Sequence, residues 1–432
     1  MKTIIIRQIR RNSVGSVVIA WLGRGLLAGV QLVSVFLLLP YLGVQEYAVF
    51  ATMTALITWY TLIDFGIGSS IQNFLSEARA KTGLLSEDAI LIALNTLIWS
   101  LLPVVGVVTL LSGYFLPLII GLDEPKQELA TIGIVISAGF SLTALFGIVY
   151  RVWYAWGWGQ FGIIIQGAAA LVALLAFLCL RVIAPDSGHK VLLTTLAWVL
   201  PNSIAAFICY LWTLKRHLIF RMDFIVRSIL YRASQFGFFS ALAAGVLAID
   251  YIVMSNTLPR SSIVEYNLLF KYFTTAFVFY SAILSLMWPR VAVRMAQKHF
   301  LSKKEEITII MGGCGFIVAS MLIAIPLAPS INKVFVTGSE IVLSNSSIFL
   351  FGFYFCIRVW SDTYAMFLQA ANKVKIFLYM VPIQATIGLF MQTALSKLLG
   401  LNGIILGLII SFLLTAVWVL PQTYYKFVSK GE

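Results

Sequence analysis

The chain is written in long apolar runs separated by short polar breaks. Runs long enough to cross a hydrocarbon layer of roughly 30 Å, which takes about 20 helical residues, recur along its whole length. Twelve are read, at 14–39, 46–71, 89–112, 129–150, 161–183, 190–214, 231–256, 262–288, 307–329, 341–363, 374–396 and 402–425. Gly, Ser and Thr are interspersed through them without period-2 alternation, which predicts helices packed through small residues and argues against an outer-membrane barrel. The breaks at 72–88, 113–128, 215–230 and 289–306 are each under about 20 residues, too short for a soluble domain. The expected fold is an all-α integral membrane protein of about twelve transmembrane helices.

Composition and charge sharpen this picture. Hydrophobic residues make up 60% of the chain and charged residues 11%, against about a quarter charged in soluble globular chains. Of the 30 Lys and Arg, 21 fall on the side that an even span number assigns to both termini, six fall on the other, and Arg24, Lys271 and Arg358 lie inside runs. The positive-inside bias therefore predicts cytoplasmic termini. The net charge of +13 is mostly topology. Divided among short loops, it offers no footprint for nucleic acid, although the Lys215 to Arg232 and Arg290 to Lys304 clusters also suit anionic headgroups. The first run, after Arg7, Arg10 and Arg11, is too long for a signal-peptide core and is expected to remain as the first helix. Cys179, Cys209, Cys314 and Cys356 all fall in apolar runs. With His189, His217 and His299 at run ends, neither a metal site nor a cofactor is expected. Asp123, Glu124 and Glu128 around Pro125 read as a solvated loop with helix-start charges.

Six ionisable residues stand inside the apolar runs: Arg24, Asp64, Asp250, Lys271, Arg358 and Asp362. Each is costly against lipid and is expected to face a polar cavity or a partner. Depth permits Arg24 to meet Asp64 and Asp250 to meet Lys271, while Arg358 and Asp362, four residues apart, share a helix face. These are the candidate substrate-binding cations (Arg24, Lys271, Arg358) and the candidate ion-coupling or charge-pair carboxylates (Asp64, Asp250, Asp362). Simple pairing that fastens neighbouring helices is the competing reading. Tyr266, Tyr272, Phe273, Phe277 and Tyr280 could line a glycan path or merely pack helices. Trp153, Tyr154, Trp156 and Trp158, beside Arg151, read as an interfacial belt.

The chain also repeats itself. Val44-Gln45-Glu46-Tyr47 recurs as Ile263-Val264-Glu265-Tyr266, each followed by a Phe (Phe50, Phe270), and Tyr154 to Gln160 has a weaker counterpart in Leu368 to Lys373. Two parallel six-helix halves are expected, 1–214 and 231–432, joined by a basic cytoplasmic linker at 215–230. The run Leu39 to Tyr47, with Leu62-Ile63-Asp64-Phe65-Gly66-Ile67-Gly68 and Asn73 to Arg79, resembles the first helical hairpin of the polysaccharide flippases, which belong with drug and lipid II exporters in one superfamily. The resemblance implies two six-helix bundles around a central cavity in a bacterial inner membrane. It also implies export of an undecaprenyl-pyrophosphate-linked oligosaccharide, such as an O-antigen repeat unit, by alternating access coupled to a proton or sodium gradient. A polysaccharide polymerase and a chain-length regulator are the protein partners it suggests. A cation-coupled multidrug exporter of the same superfamily is the first alternative, and the three intramembrane cations argue against it. A polymerase-type membrane enzyme is the second, and the missing large outer loop argues against that.

Overall fold

The computed structural model describes residues 2–79, 86–121, 125–185, 187–215, 217–247, 249–296, 300–335, 343–371, 373 and 375–430. Lys81, Asp123, Glu124, Arg216, Lys298, His299 and Asn372 lie outside the described residues. In chain order the helices are α1 (Lys2–Ala55), α2 (Ile57–Tyr60), a 3-10 turn (Thr61–Asp64), α3 (Ile67–Arg79), α4 (Glu87–Ile119), α5 (Lys126–Gly147), α6 (Val149–Ala155), α7 (Gly159–Ile183) and α8 (Lys190–Leu214). Then follow α9 (Phe224–Leu247), α10 (Ile249–Thr257), α11 (Arg260–Ala296), α12 (Lys303–Phe335), α13 (Asn345–Ala370), α14 (Lys375–Leu399), α15 (Leu401–Leu414) and α16 (Ala416–Lys430). The protein is an all-α, multi-span membrane protein whose rods follow the twelve predicted runs.

Several rods are interrupted, and local sequence accounts for it. α1 bends at Gly43 (φ 73°, ψ 174°), just after Pro40, which has no N–H to donate to the helix. The first two runs therefore join within one kinked helix. The second run breaks again after the 3-10 turn, where Phe65 (φ 45°) and Gly66 (φ 75°) are left-handed before α3 begins. At Gly237 of α9 a Cβ would lie 2.6 Å from the Phe65 carbonyl oxygen. α9 thus packs backbone to backbone on this break, an approach only glycine permits.

Among the described residues, eight helical stretches are long and apolar enough to cross a membrane. The rods outside that set are α2–α3, α9–α10, α11 and α13, and these carry Asp64, Asp250, Lys271, Arg358 and Asp362. Only Arg24 among the six lies on an apolar rod, the 22–55 stretch of α1.

Two compact units are present, one of residues 1–30 and 49–248, the other of residues 31–48 and 249–432. α9, expected from sequence to open the C-terminal half, packs in the first unit. Ser70 Oγ on α3 donates to the Ile229 carbonyl on α9 at 3.2 Å, and the Arg232 guanidinium lies 4.2 Å from the centre of the Phe74 ring. In the same unit Ile67, Ile71 and Leu75 of α3 are buried in one cluster with Leu94 and Ile98 of α4 and Val149 and Val152 of α6, the i, i+4 stripe expected of a packed helix face.

In the second unit α14 and α15 approach at glycines. A Cβ at Gly403 would stand 2.0 Å from the Leu395 carbonyl oxygen, and one at Gly407 2.7 Å from the Gln392 backbone nitrogen. Since backbone cannot swing aside as a side chain can, Gly403→Ala is expected to force the helices apart at a cost of about 1–3 kcal/mol. A lowered melting temperature of the detergent-solubilised protein checks this, and an unchanged one contradicts it.

Candidate functional site

The second unit holds a chain of buried polar groups. Asp250 of α10 is 3% exposed. It accepts a hydrogen bond from the Tyr266 hydroxyl of α11 and one from the Tyr251 backbone N–H at 3.1 Å. Next to Tyr266, Asn267 donates to the Tyr251 hydroxyl at 2.7 Å and accepts from the Tyr47 hydroxyl at 2.8 Å. Tyr354 of α13 lies within electrostatic range of both Asp250 and Arg358. Arg358 in turn forms an ion pair with Asp362 at 3.4 Å, and its guanidinium lies 4.9 Å from the centre of the Phe277 ring. Such a cation–π contact suits a cation held away from bulk water.

The expected meeting of Asp250 with Lys271 does not occur: Asp250 is taken by Tyr266. Helix geometry gives the reason, because Tyr266 and Lys271 are five residues apart and so point about 140° away from each other around α11. Lys271 instead lies one turn on from Asn267. Lys271 is half-buried, and among the described residues it has no carboxylate partner.

In the first unit Asp64 ends the 3-10 turn and accepts from the Gly66 N–H at 2.9 Å. The cation set against it is Arg151 of α6, rather than Arg24 as depth suggested. Gly68 leaves the room for both, since a Cβ there would stand 3.1 Å from Asp64 Oδ2 and 3.1 Å from Arg151 Cγ. Arg24 is half-buried on α1 and has interactions of its own.

The aromatic residues of α11 are packed within their unit. Tyr266, Phe273, Phe277 and Tyr280 are all buried, and Phe273 stacks on Phe351 and Phe355, while Tyr272 donates to the Ser320 carbonyl at 2.8 Å. In the first unit Trp153 donates to Thr213 at 2.9 Å and Trp156 to Glu87, so these rings make structural hydrogen bonds.

Sequence reasoning missed Arg151, Tyr47, Tyr251, Tyr266, Asn267 and Tyr354 as members of these networks. One signal was visible. The repeated Glu-Tyr motif places Tyr47 and Tyr266 in corresponding positions, and the second unit brings Tyr47 onto Asn267, the neighbour of Tyr266. Arrangements of this kind can hold a buried carboxylate through two donors and present a cation without a carboxylate partner to an anionic group.

No family model matches the chain. It is 35% identical over 419 residues, 95% of both chains, to a protein designated O-antigen transporter in Salmonella typhi. It is 30% identical over 418 residues, 95% of both chains, to one designated O-antigen export protein in Yersinia pseudotuberculosis. Among solved structures it resembles an inward-facing multidrug-resistance MATE transporter of the MOP superfamily (TM-score 0.73, 12% identity, 94% of this chain and 95% of that one). It also resembles the lipid II flippase MurJ in an inward closed conformation (TM-score 0.64, 12% identity, 98% and 89%). These structural likenesses establish the fold, and the sequence relatives establish the kinship. The protein is thus a membrane transporter of the MOP-superfamily fold, and it belongs to the family of O-antigen transporters.

Proposed function

We propose that the protein is a flippase moving an undecaprenyl-pyrophosphate-linked oligosaccharide, an O-antigen or related repeat unit, from the cytoplasmic to the periplasmic leaflet of a bacterial inner membrane. The observation that carries this reading is the identity with O-antigen transporters along nearly the whole chain. The site chemistry supports it. A glycan on a pyrophosphate is polar and doubly anionic, and Lys271 is a half-buried cation without a carboxylate partner among the described residues; a positive group in that condition gains most from an anionic ligand. Arg24 and Arg358 are the further cations of the path. The termini face the cytoplasm, in keeping with the distribution of Lys and Arg.

The cycle runs by alternating access and draws on a proton or sodium gradient. Asp64, beside Arg151, and Asp250, beside Tyr266, are the carboxylates assigned to coupling, and Asp362 is assigned to holding Arg358. A polysaccharide polymerase and a chain-length regulator are the expected neighbours in the membrane. Deleting the gene is expected to remove surface O-antigen and to leave the lipid-linked repeat unit in the cytoplasmic leaflet, measured by surface glycan staining and by extraction of undecaprenyl-linked sugar. Undiminished surface glycan with no accumulated intermediate contradicts the reading. Asp250→Asn is expected to make transport indifferent to the gradient; transport by this variant that still follows the gradient removes Asp250 from the coupling role.

A further inference from the structure

Residues 217–223, between α8 and α9, are without regular structure and are bonded to α4. Asn95 donates to the Ile219 carbonyl at 3.2 Å, and the Arg221 N–H donates to Thr96 Oγ1 at 2.9 Å. Asn95 and Thr96 are 2% and 0% exposed. They stand eight and nine residues beyond Glu87, the charged start of α4, or about 12–14 Å along the helix axis at 1.5 Å per residue. These two polar side chains thereby satisfy the Ile219 carbonyl and the Arg221 N–H.

The segment's own side chains point elsewhere. Leu218, Ile219, Phe220, Met222 and Phe224 are between 51% and 76% exposed, while Lys215, Arg221 and Arg227 on the same stretch are exposed too. Asp223 offsets Arg221 only in part, at 3.7 Å, because its other oxygen accepts from the Ile225 N–H at 3.0 Å and starts α9. A cleft of about 520 Å³ opens beside the segment, lined by Trp99, Phe207, Leu211, Leu218 and Phe220. It lies next to the Trp99–Tyr210–Asn95 hydrogen-bond chain. Exposed apolar side chains on a membrane protein, with basic side chains on the same stretch, match a lipid with an anionic head and an aliphatic tail.

We propose that residues 217–227, with the cleft against α4 and α8, form a binding site for an anionic phospholipid of the surrounding bilayer. The acyl chain occupies the Trp99 cleft, and the phosphate pairs with Arg221 and Arg227. The proposal is independent of what the protein transports and rests only on its bilayer setting, so its failure leaves the flippase reading standing.

The test is fluorescence of the full-length protein in vesicles containing brominated phosphatidylglycerol or brominated phosphatidylcholine. The Trp99 signal is isolated by difference from Trp99→Phe. Phosphatidylglycerol is expected to quench Trp99 at much lower mole fraction than phosphatidylcholine. With each basic residue near the surface worth about a fivefold preference, Arg221→Gln with Arg227→Gln lowers that preference roughly 30-fold, and Lys303→Gln with Lys304→Gln leaves it unchanged. Both arginines are exposed, so the variants keep the fold, and circular dichroism confirms it. Equal quenching by the two lipids overturns the proposal, as does a preference that survives loss of both arginines. Preferential quenching by a brominated polyprenyl phosphate overturns it as well, by assigning the cleft to the transported lipid.

Discussion

Lys271→Met raises the melting temperature of the purified protein and lowers translocation of the lipid-linked glycan roughly 10- to 100-fold. The two halves of this expectation come from one fact: Lys271 is half-buried on a membrane-spanning helix and lacks a carboxylate partner among the described residues. An unpaired charge away from water opposes folding, so an apolar side chain of similar length should relieve the cost. The same ammonium is the group through which an anionic substrate would be held. A charge-assisted hydrogen bond contributes about 1.5–3 kcal/mol, which is the stated range in rate or affinity. A residue that only fastened helices would give the opposite pattern, with stability and transport falling together. Thermal melts and accumulation of surface glycan, read on the same variant, separate the two cases.

The largest loss of stability is expected from Asp362→Leu. Removing one member of a buried ion pair leaves the other charge uncompensated, at about 3–5 kcal/mol. The lower end, about 3 kcal/mol, applies here because the Asp362 side chain keeps 36% of its surface exposed. The Phe277 face against Arg358 cannot replace the carboxylate, and Arg358 Nε is itself buried without a hydrogen-bond partner. The double variant Arg358→Met with Asp362→Leu is expected to recover most of the stability, since replacing both charges removes the desolvation cost along with the attraction. Chemical denaturation of the single and double variants measures this directly, and a double variant as unstable as Asp362→Leu alone contradicts it.

Helix number and fold class were legible because bilayer thickness converts directly into run length. The interruptions were less so. Pro40 and Gly43 announced a kink, but the left-handed Phe65 carries no sequence signal, since its conformation is imposed by its neighbours and by the close passage of α9 at Gly237. The six intramembrane charges stood out by cost alone. Their partners did not, because depth along a helix says nothing of rotation about its axis. Arg358 and Asp362, on one helix, were placed correctly together by periodicity. Asp64 and Asp250, whose partners lie on other elements, were matched to the wrong residues: Arg151 and Tyr266 hold those places. Tyr266 was weighed only as glycan path or helix packing and Tyr47 only as part of the repeat, yet Tyr47, Tyr251 and Tyr266 carry the hydroxyls that satisfy Asn267 and Asp250. The linker was read from its charge as a basic cytoplasmic connection suited to anionic headgroups, and the role of Asn95 and Thr96 in holding it against α4 has no local signature.

The most direct measurement is translocation of a fluorescent undecaprenyl-pyrophosphate oligosaccharide in proteoliposomes, comparing the intact protein with Lys271→Arg and Lys271→Met. Protein-dependent movement to the opposite leaflet, retained in substantial part by Lys271→Arg and largely lost in Lys271→Met, is the predicted result. Absence of any protein-dependent movement of this lipid, with export of organic cations in its place, contradicts the account.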